Sequence, residues 1–227
     1  MSLSRMAHLS AATAILLGAT LARAGDTPQI PIEQAVQDYL QKSSEAAVAA
    51  RTNEVLRDPD TPVLGNPQGD VTIVEFSDYN CPYCKAAEPR LMKLLKDDGH
   101  VRLVIKEFPI LTPESLLATR AALAARKQGK YEAYHLALMA HHGRLLSDDV
   151  FTIAQAVGLD VARLRKDMES PEIADSIIAN MNLARALKVS VTPAYIVDAK
   201  VLSGVSAATS TAKIDFTEEV AAARARR

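Results

Sequence analysis

The sequence predicts an α/β domain in which a block of helices separates two groups of strands, preceded by an N-terminal helical extension. Three observations carry this. The β-branched run Val71–Ser77 (VTIVEFS) leads into a helical stretch from Pro82 to Lys96 and then into a second run, Val101–Phe108. From about 112 to 188 there is helix punctuation and no strand signal. Strand character then returns at Val189–Val197, ahead of a closing helix over Thr211–Ala223. The order is β-α-β, a helical block, then β-β-α.

The 227 residues, 48% hydrophobic and 23% charged, suffice for one domain of 63–225 plus an extension. A net charge of −1, with no long charged run, gives no support for nucleic acid or an anionic membrane surface as partner. Residues 1–24 read as a signal peptide. Arg5 precedes the apolar run Leu9–Leu21, which is short of the roughly 20 residues a spanning helix needs, and Ala22-Arg23-Ala24 fits cleavage after Ala24. The expected localisation is therefore outside the cytoplasm. Residues 25–62 form the extension. Ile32, Val36, Tyr39 (or Leu40), Ser43, Ala47 and Ala50 make a thin stripe over a helix from Ile32 to Leu56 that needs a partner surface. Asp58-Pro59-Asp60-Thr61-Pro62 and the Gly65–Asp70 cluster are breakers, the first read as a hinge.

Within the helical block, Thr112-Pro113-Glu114 is an N-cap with a first-turn proline and acid, and Gly129 suits a C′ position. Tyr131–His142 ends at Gly143. Ser147 opens a helix that Gly158 closes, Asp160 caps Val161–Glu169, and Ser170-Pro171-Glu172 starts a helix to about Leu187. After the strand at Val189–Val197, Asp198-Ala199-Lys200 turns into Val201–Val205.

The two cysteines of the chain, Cys81 and Cys84, stand three positions apart. Exported proteins use cysteines as staples across long loops, and a four-residue loop stabilises little that way. A CxxC at a helix start is suited instead to thiol–disulfide exchange. Cys81 meets the unpaired N–H groups and the positive end of the helix, which lowers its pKa and makes it the nucleophile; Cys84 is the resolving thiol. Pro82 suits N1, and Pro82 and Tyr83, between the thiols, are expected to meet substrate with Thr192. No cofactor is needed. A zinc site would need further ligands, and His135, His141 and His142, in one helical stretch, read as surface or core-edge residues. Cu(I) held by the Cys81 and Cys84 thiolates is chemically permitted. Glu75, within the first strand, is expected to be buried with a raised pKa, suiting it to exchange protons with Cys84. Alternation along the second strand lets only one of Lys106 and Glu107 face inward.

The segments VEFSDYNCPYCK, KEFPIL and SVTPAYIV, in this order around a helical insertion, resemble the DsbA-like family of periplasmic thiol–disulfide oxidoreductases, and within it the suppressor-of-copper-sensitivity protein C (ScsC) group. The resemblance implies a thioredoxin-like fold. It also implies a catalytic set of Cys81, Cys84, Pro193, Thr192 and Glu75, with Thr192-Pro193 as a cis-proline loop that pairs with extended substrate. Family members often have glycine where Val191 stands. The same resemblance implies protein substrates, a membrane redox partner and a periplasmic site. Members with an N-terminal oligomerisation helix are isomerases kept reduced by a membrane reductase, and monomeric members are oxidases. This chain is expected to be a disulfide isomerase, trimeric through its N-terminal helix, with a dithiol oxidase or a copper-handling thiol protein as alternatives.

Overall fold

The computed structural model describes residues 31–203 and 214–227. The signal peptide read at residues 1–24 lies outside the described residues. Helix α1 (Ile32–Ala49) and the short α2 (Thr52–Leu56) precede β1 (Val63–Gly65) and β2 (Val71–Ser77). Next come α3 (Pro82–Asp98), β3 (Val101–Glu107) and the helical block of α4 (Pro113–Ala125), α5 (Tyr131–Ala140), α6 (Ser147–Ala156), α7 (Val161–Asp167) and α8 (Pro171–Ala186). The chain closes with β4 (Ala194–Val197), β5 (Lys200–Ser203) and α9 (Phe216–Ala225).

The strands form one sheet in the order β1-β3-β2-β4-β5. Only β2 and β3 run parallel, in the register Glu75 opposite Ile105 and Ser77 opposite Glu107. The connection between them is α3, as a parallel pair requires. Helices cover both faces. On one, Ile73, Leu103, Ile105 and Tyr195 pack against Ala87, Leu91 and Leu95 of α3 and Phe216 and Val220 of α9. On the other, Val74, Phe76, Val104 and Ile196 meet Leu183, Ala184 and Leu187, together with Val48 and Val55 of the extension. The helical block has its own core of Ala118, Ala122, Tyr134, Leu138, Leu145 and Leu164, which also takes in Tyr79, Cys81 and Cys84.

Several helix caps follow the sequence reading. Thr112 accepts from the Ser115 N–H at 3.0 Å, and Asp160 from Arg163 at 3.0 Å. Gly129 ends the helical turn after α4 with φ +67°. Four features differ, besides the strand expected from Val189, which begins only at Ala194. The single helix expected over Ile32–Leu56 is broken at Ala50–Arg51, because α2 must turn to seat Val55 on the sheet. A strand, β1, occupies part of the supposed breaker stretch. Its Gly65 stands at φ +72° with the Val101 carbonyl 2.7 Å from where a Cβ would lie, so the glycine serves the strand's close approach to β3. The closing helix starts at Phe216, capped by Asp215. The fourth concerns Lys106 and Glu107: both are buried, each about 1% exposed, on opposite faces. Alternation holds, but a strand covered on both faces has no outside.

Lys106 therefore has to find its partners in the interior. Its ammonium donates to Asp58 at 2.9 Å and to Thr61 at 2.7 Å, and both belong to the Asp58–Pro62 segment. Arg102 and Arg126 reach the carbonyls of Leu56 and Asp60, and the Ile105 N–H donates to the Pro62 carbonyl at 3.0 Å. The segment read as a hinge is thus tied to the sheet at Asp58, Thr61 and Pro62, and to Arg126 at Asp60. Removal of one partner of a buried ion pair leaves the other uncompensated. Asp58→Ala is expected to destabilise the protein by about 2 kcal/mol, below the usual range for a buried pair because Asp58 is partly exposed. Adding Lys106→Met should recover most of that loss, as chemical denaturation of the single and double variants will show.

Candidate functional site

The site is built at the carboxyl end of β2. Asp78, just after that strand, fixes the loop by accepting from the N–H groups of Asn80, Ile110 and Leu111 and from the Ser115 hydroxyl. Asn80 ties the loop to the helical block, accepting from the Leu145 N–H at 2.6 Å and donating to Thr112 at 3.0 Å. Cys81 is then the N-cap of α3, in extended conformation, with Pro82 at N1. Its sulfur accepts from the Cys84 N–H at 3.4 Å. Across the site the Thr192–Pro193 peptide is cis, and the Thr192 carbonyl accepts from the Cys81 thiol at 3.2 Å. The predicted residues Cys81, Cys84, Thr192 and Pro193 are therefore brought together, with the Cys84 thiol fully buried. Pro82 and Tyr83 face solvent beside them.

The two thiols differ sharply in acidity. The Cys84 thiol, hydrogen-bonded to the Cys81 sulfur, is the main cause that lowers the Cys81 pKa to about 6, and Thr192 and the N–H groups of Cys84 and Tyr83 add to it against the cost of burial. Cys84 is pushed well above the usual thiol range by burial first, then by its bond to Cys81 and the charge of Glu75. This is the asymmetry that exchange needs: an ionised attacking sulfur beside a protonated resolving one.

Glu75 is fully buried on the face of β2 that looks toward α3. Tyr195 donates to its Oε1 at 3.4 Å, and its Oε2 has no hydrogen-bond partner. Burial, and then the neighbouring Glu88, hold its pKa well above the carboxylate range. The sequence reading did not single out Glu88, His135 or Glu107 as parts of this region. Glu88 follows Cys84 by one turn and stands on the same stripe as Leu91 and Leu95, which is the signal that could have found it. His135, expected at a surface or core edge, is fully buried, because the Tyr79 and Tyr131 side chains close around it. Beside Pro82 a largely apolar cleft of about 790 Å³ runs between α3 and the helical block, lined by Ala86, Pro89 and Met139 and rimmed by Lys85, His141 and His142. Among the described residues no group of three or more His, Cys, Asp or Glu is placed to hold a metal ion, and no helix is long and apolar enough to cross a membrane.

A βαβ unit carrying paired thiols at a helix N-terminus, opposite a cis proline, defines the thiol–disulfide oxidoreductases of the DsbA/ScsC type. The chain belongs to the thioredoxin family, whose model matches residues 57–215. A thioredoxin-like oxidoreductase from Silicibacter pomeroyi DSS-3 is 45% identical, with a TM-score of 0.71 over 76% of this chain and 97% of that one. The thiol-disulfide exchange protein alpha-DsbA2 from Wolbachia pipientis is 26% identical, with a TM-score of 0.67 over 71% and 88%. A linker-deletion variant of Proteus mirabilis ScsC shares the fold, at 22% identity and a TM-score of 0.74 over 86% and 89%. Among curated proteins, a Na(+)/H(+) antiporter NhaA 3 from Salinispora tropica is 35% identical over 63% of this chain, which spans 22% of that protein's length.

If the thiolate of Cys81 is the reactive form, its alkylation by iodoacetamide should follow a single ionisation with a midpoint near pH 6, and Cys84 should stay unmodified. The depressed pKa also favours the folded dithiol state. That contribution is complete above the ordinary thiol value of 9.0 and disappears as pH falls through about 6. The thermal midpoint of the reduced protein, relative to the oxidised one, should fall over the same interval.

Proposed function

We propose that the protein is a periplasmic disulfide isomerase. In this reading it acts through Cys81 and Cys84 on misfolded protein substrates, is assembled as a homo-oligomer (a trimer by the ScsC resemblance) through α1, and is kept reduced by a membrane reductase. One observation carries the isomerase reading over the oxidase alternative. The first half of α1 exposes Ile32, Val36, Tyr39 and Leu40, at 79, 49, 72 and 46%, along one helical stripe that no other part of the described chain covers. Burying such a stripe needs a partner surface, and several copies joined there would turn several CxxC sites toward one substrate.

The catalytic roles follow from the site. The Cys81 thiolate attacks a substrate disulfide and forms a mixed disulfide, while the Thr192 backbone and the exposed Pro82 and Tyr83 meet the substrate chain. Cys84 passes its proton to Glu75 and attacks Cys81 when the substrate does not rearrange. The cleft beside Pro82 offers apolar surface to residues flanking the substrate cysteine.

Because Val48 and Val55 belong to the domain core, removal of the whole extension would uncover the sheet. The test is therefore the double substitution Ile32→Asp/Tyr39→Asp. The parent protein should be an oligomer by light scattering and, when reduced, should reactivate scrambled ribonuclease. The variant should be a folded monomer that loses at least about ten-fold in that assay while keeping its insulin-reduction activity, a loss equivalent to about 1.4 kcal/mol. A parent protein that is monomeric and rapidly oxidises reduced ribonuclease would make it a dithiol oxidase instead.

A further inference from the structure

Behind the redox site lies a chain of buried polar groups that the exchange chemistry leaves unused. Glu88 is 5% exposed, and neither its carboxylate oxygens nor the Nε2 of His135 has a hydrogen-bond partner. His135 of α5 places its Nε2 3.4 Å from Glu88 Oε1. Its Nδ1 lies 2.9 Å from the Tyr79 hydroxyl and 3.4 Å from that of Tyr131. Both phenols donate to Glu107 Oε1, at 2.7 and 2.8 Å, and Thr119 donates to Oε2 at 3.0 Å. With the phenol protons committed to Glu107, the Tyr79 oxygen is an acceptor, and the His135 proton on Nδ1 points to it.

The tautomer then sets what faces Glu88. A bare Nε2 against a carboxylate would leave two buried acceptors in repulsion, whereas a proton on Nε2 makes the 3.4 Å contact attractive. The ring is held in place, stacked on Tyr131 at 5.5 Å and 21° and edge-on to Tyr79 at 5.5 Å and 70°. The ionisable groups around it are Glu88 from α3, Glu107 from β3, Tyr79 from the loop after β2 and Tyr131 from its own helix. Glu107 is satisfied by three hydroxyls; Glu88 has only His135. Glu88 in turn acts electrostatically on Glu75.

We infer that His135 is a positioning residue of the redox site: by holding a proton against Glu88, it leaves Glu75 as the carboxylate that takes up and returns the proton of Cys84. This rests on the thiol–disulfide reading above. In the resolving step the Cys84 S–H proton passes to Glu75, and the sulfur attacks Cys81 of the mixed disulfide. The Cys81–Cys84 bond forms as the bond from Cys81 to the substrate sulfur breaks. Cys84 is oxidised, and the substrate sulfur is reduced, leaving as a thiolate with the bonding electron pair. Without the proton on His135, the Glu88 carboxylate faces Glu75 uncompensated, and Glu75 is ionised only at higher pH.

The full chain with Cys81 blocked as its thionitrobenzoate mixed disulfide reports this step directly, because attack by Cys84 releases the coloured anion. His135→Phe should move the midpoint of the release rate against pH upward by about one unit. Glu88→Gln should move it downward. The upward shift from His135→Phe should vanish in the Glu88→Gln background, which a purely structural role would not predict. An unchanged midpoint in Glu88→Gln overturns the inference even if His135→Phe does not fold, and so does an upward shift that persists in the double variant. Absence of release from the parent protein at every pH overturns the redox reading and this inference with it; release with unmoved midpoints overturns the inference alone.

Discussion

The burial of β2 and β3 on both faces is the constraint from which much else in the molecule follows. Between them these strands carry three ionisable residues that are fully enclosed. Glu75 and Glu107 point toward α3 and the helical block, Lys106 toward the extension. A buried charge must be paired, hydrogen-bonded or neutralised, and the three residues take three different solutions. Lys106 is paired with Asp58, Glu107 is surrounded by hydroxyls of Tyr79, Tyr131 and Thr119, and Glu75 is left one-sided next to Cys84. The poorest satisfied of the three is the one whose charge acts on Cys84.

The same layering explains how the two cysteines come to differ. α3 packs along the sheet with its N-terminus at the carboxyl end of β2. Cys81 therefore sits at the rim, among N–H donors and beside Thr192, while Cys84 is one turn deeper and enclosed by the helical block. Depth alone raises one thiol and polar contacts lower the other, and the thioredoxin family fold supplies both through a single helix placement.

Most of the fold was legible because its signals are local. Val71–Ser77 and Val101–Glu107 are β-branched runs, and Thr112, Gly129 and Asp160 punctuate helices through hydrogen bonds that reach only a few residues. The CxxC was legible for the same reason, whereas the cis Thr192-Pro193 loop was legible only through the family resemblance. What the sequence hid are matters of tertiary placement. Gly65 reads as a breaker, yet it ends an edge strand because β3 offers unpaired backbone there. Lys106 and Glu107 read as one inside and one outside, because alternation says nothing about what covers the second face. Glu88 and His135 stand 47 positions apart, and nothing local announces that a helix of the insertion lays one against the other.

The anchoring of residues 52–65 has a mechanical meaning. With Val55 in the core, Asp58 and Pro62 held by the sheet and Asp60 by Arg126, the domain and the C-terminal half of α1 are one stiff piece. In any assembly joined through the free half of α1, the separation of neighbouring sulfur pairs is fixed by a helical strut and not by a slack tether. A strut gives a narrow distribution of distances, and hence a high effective concentration of one thiol at another only for substrates of matching span. The reach of the molecule, and so the size of protein it can work on from two sides at once, would then be written in the length and angle of α1.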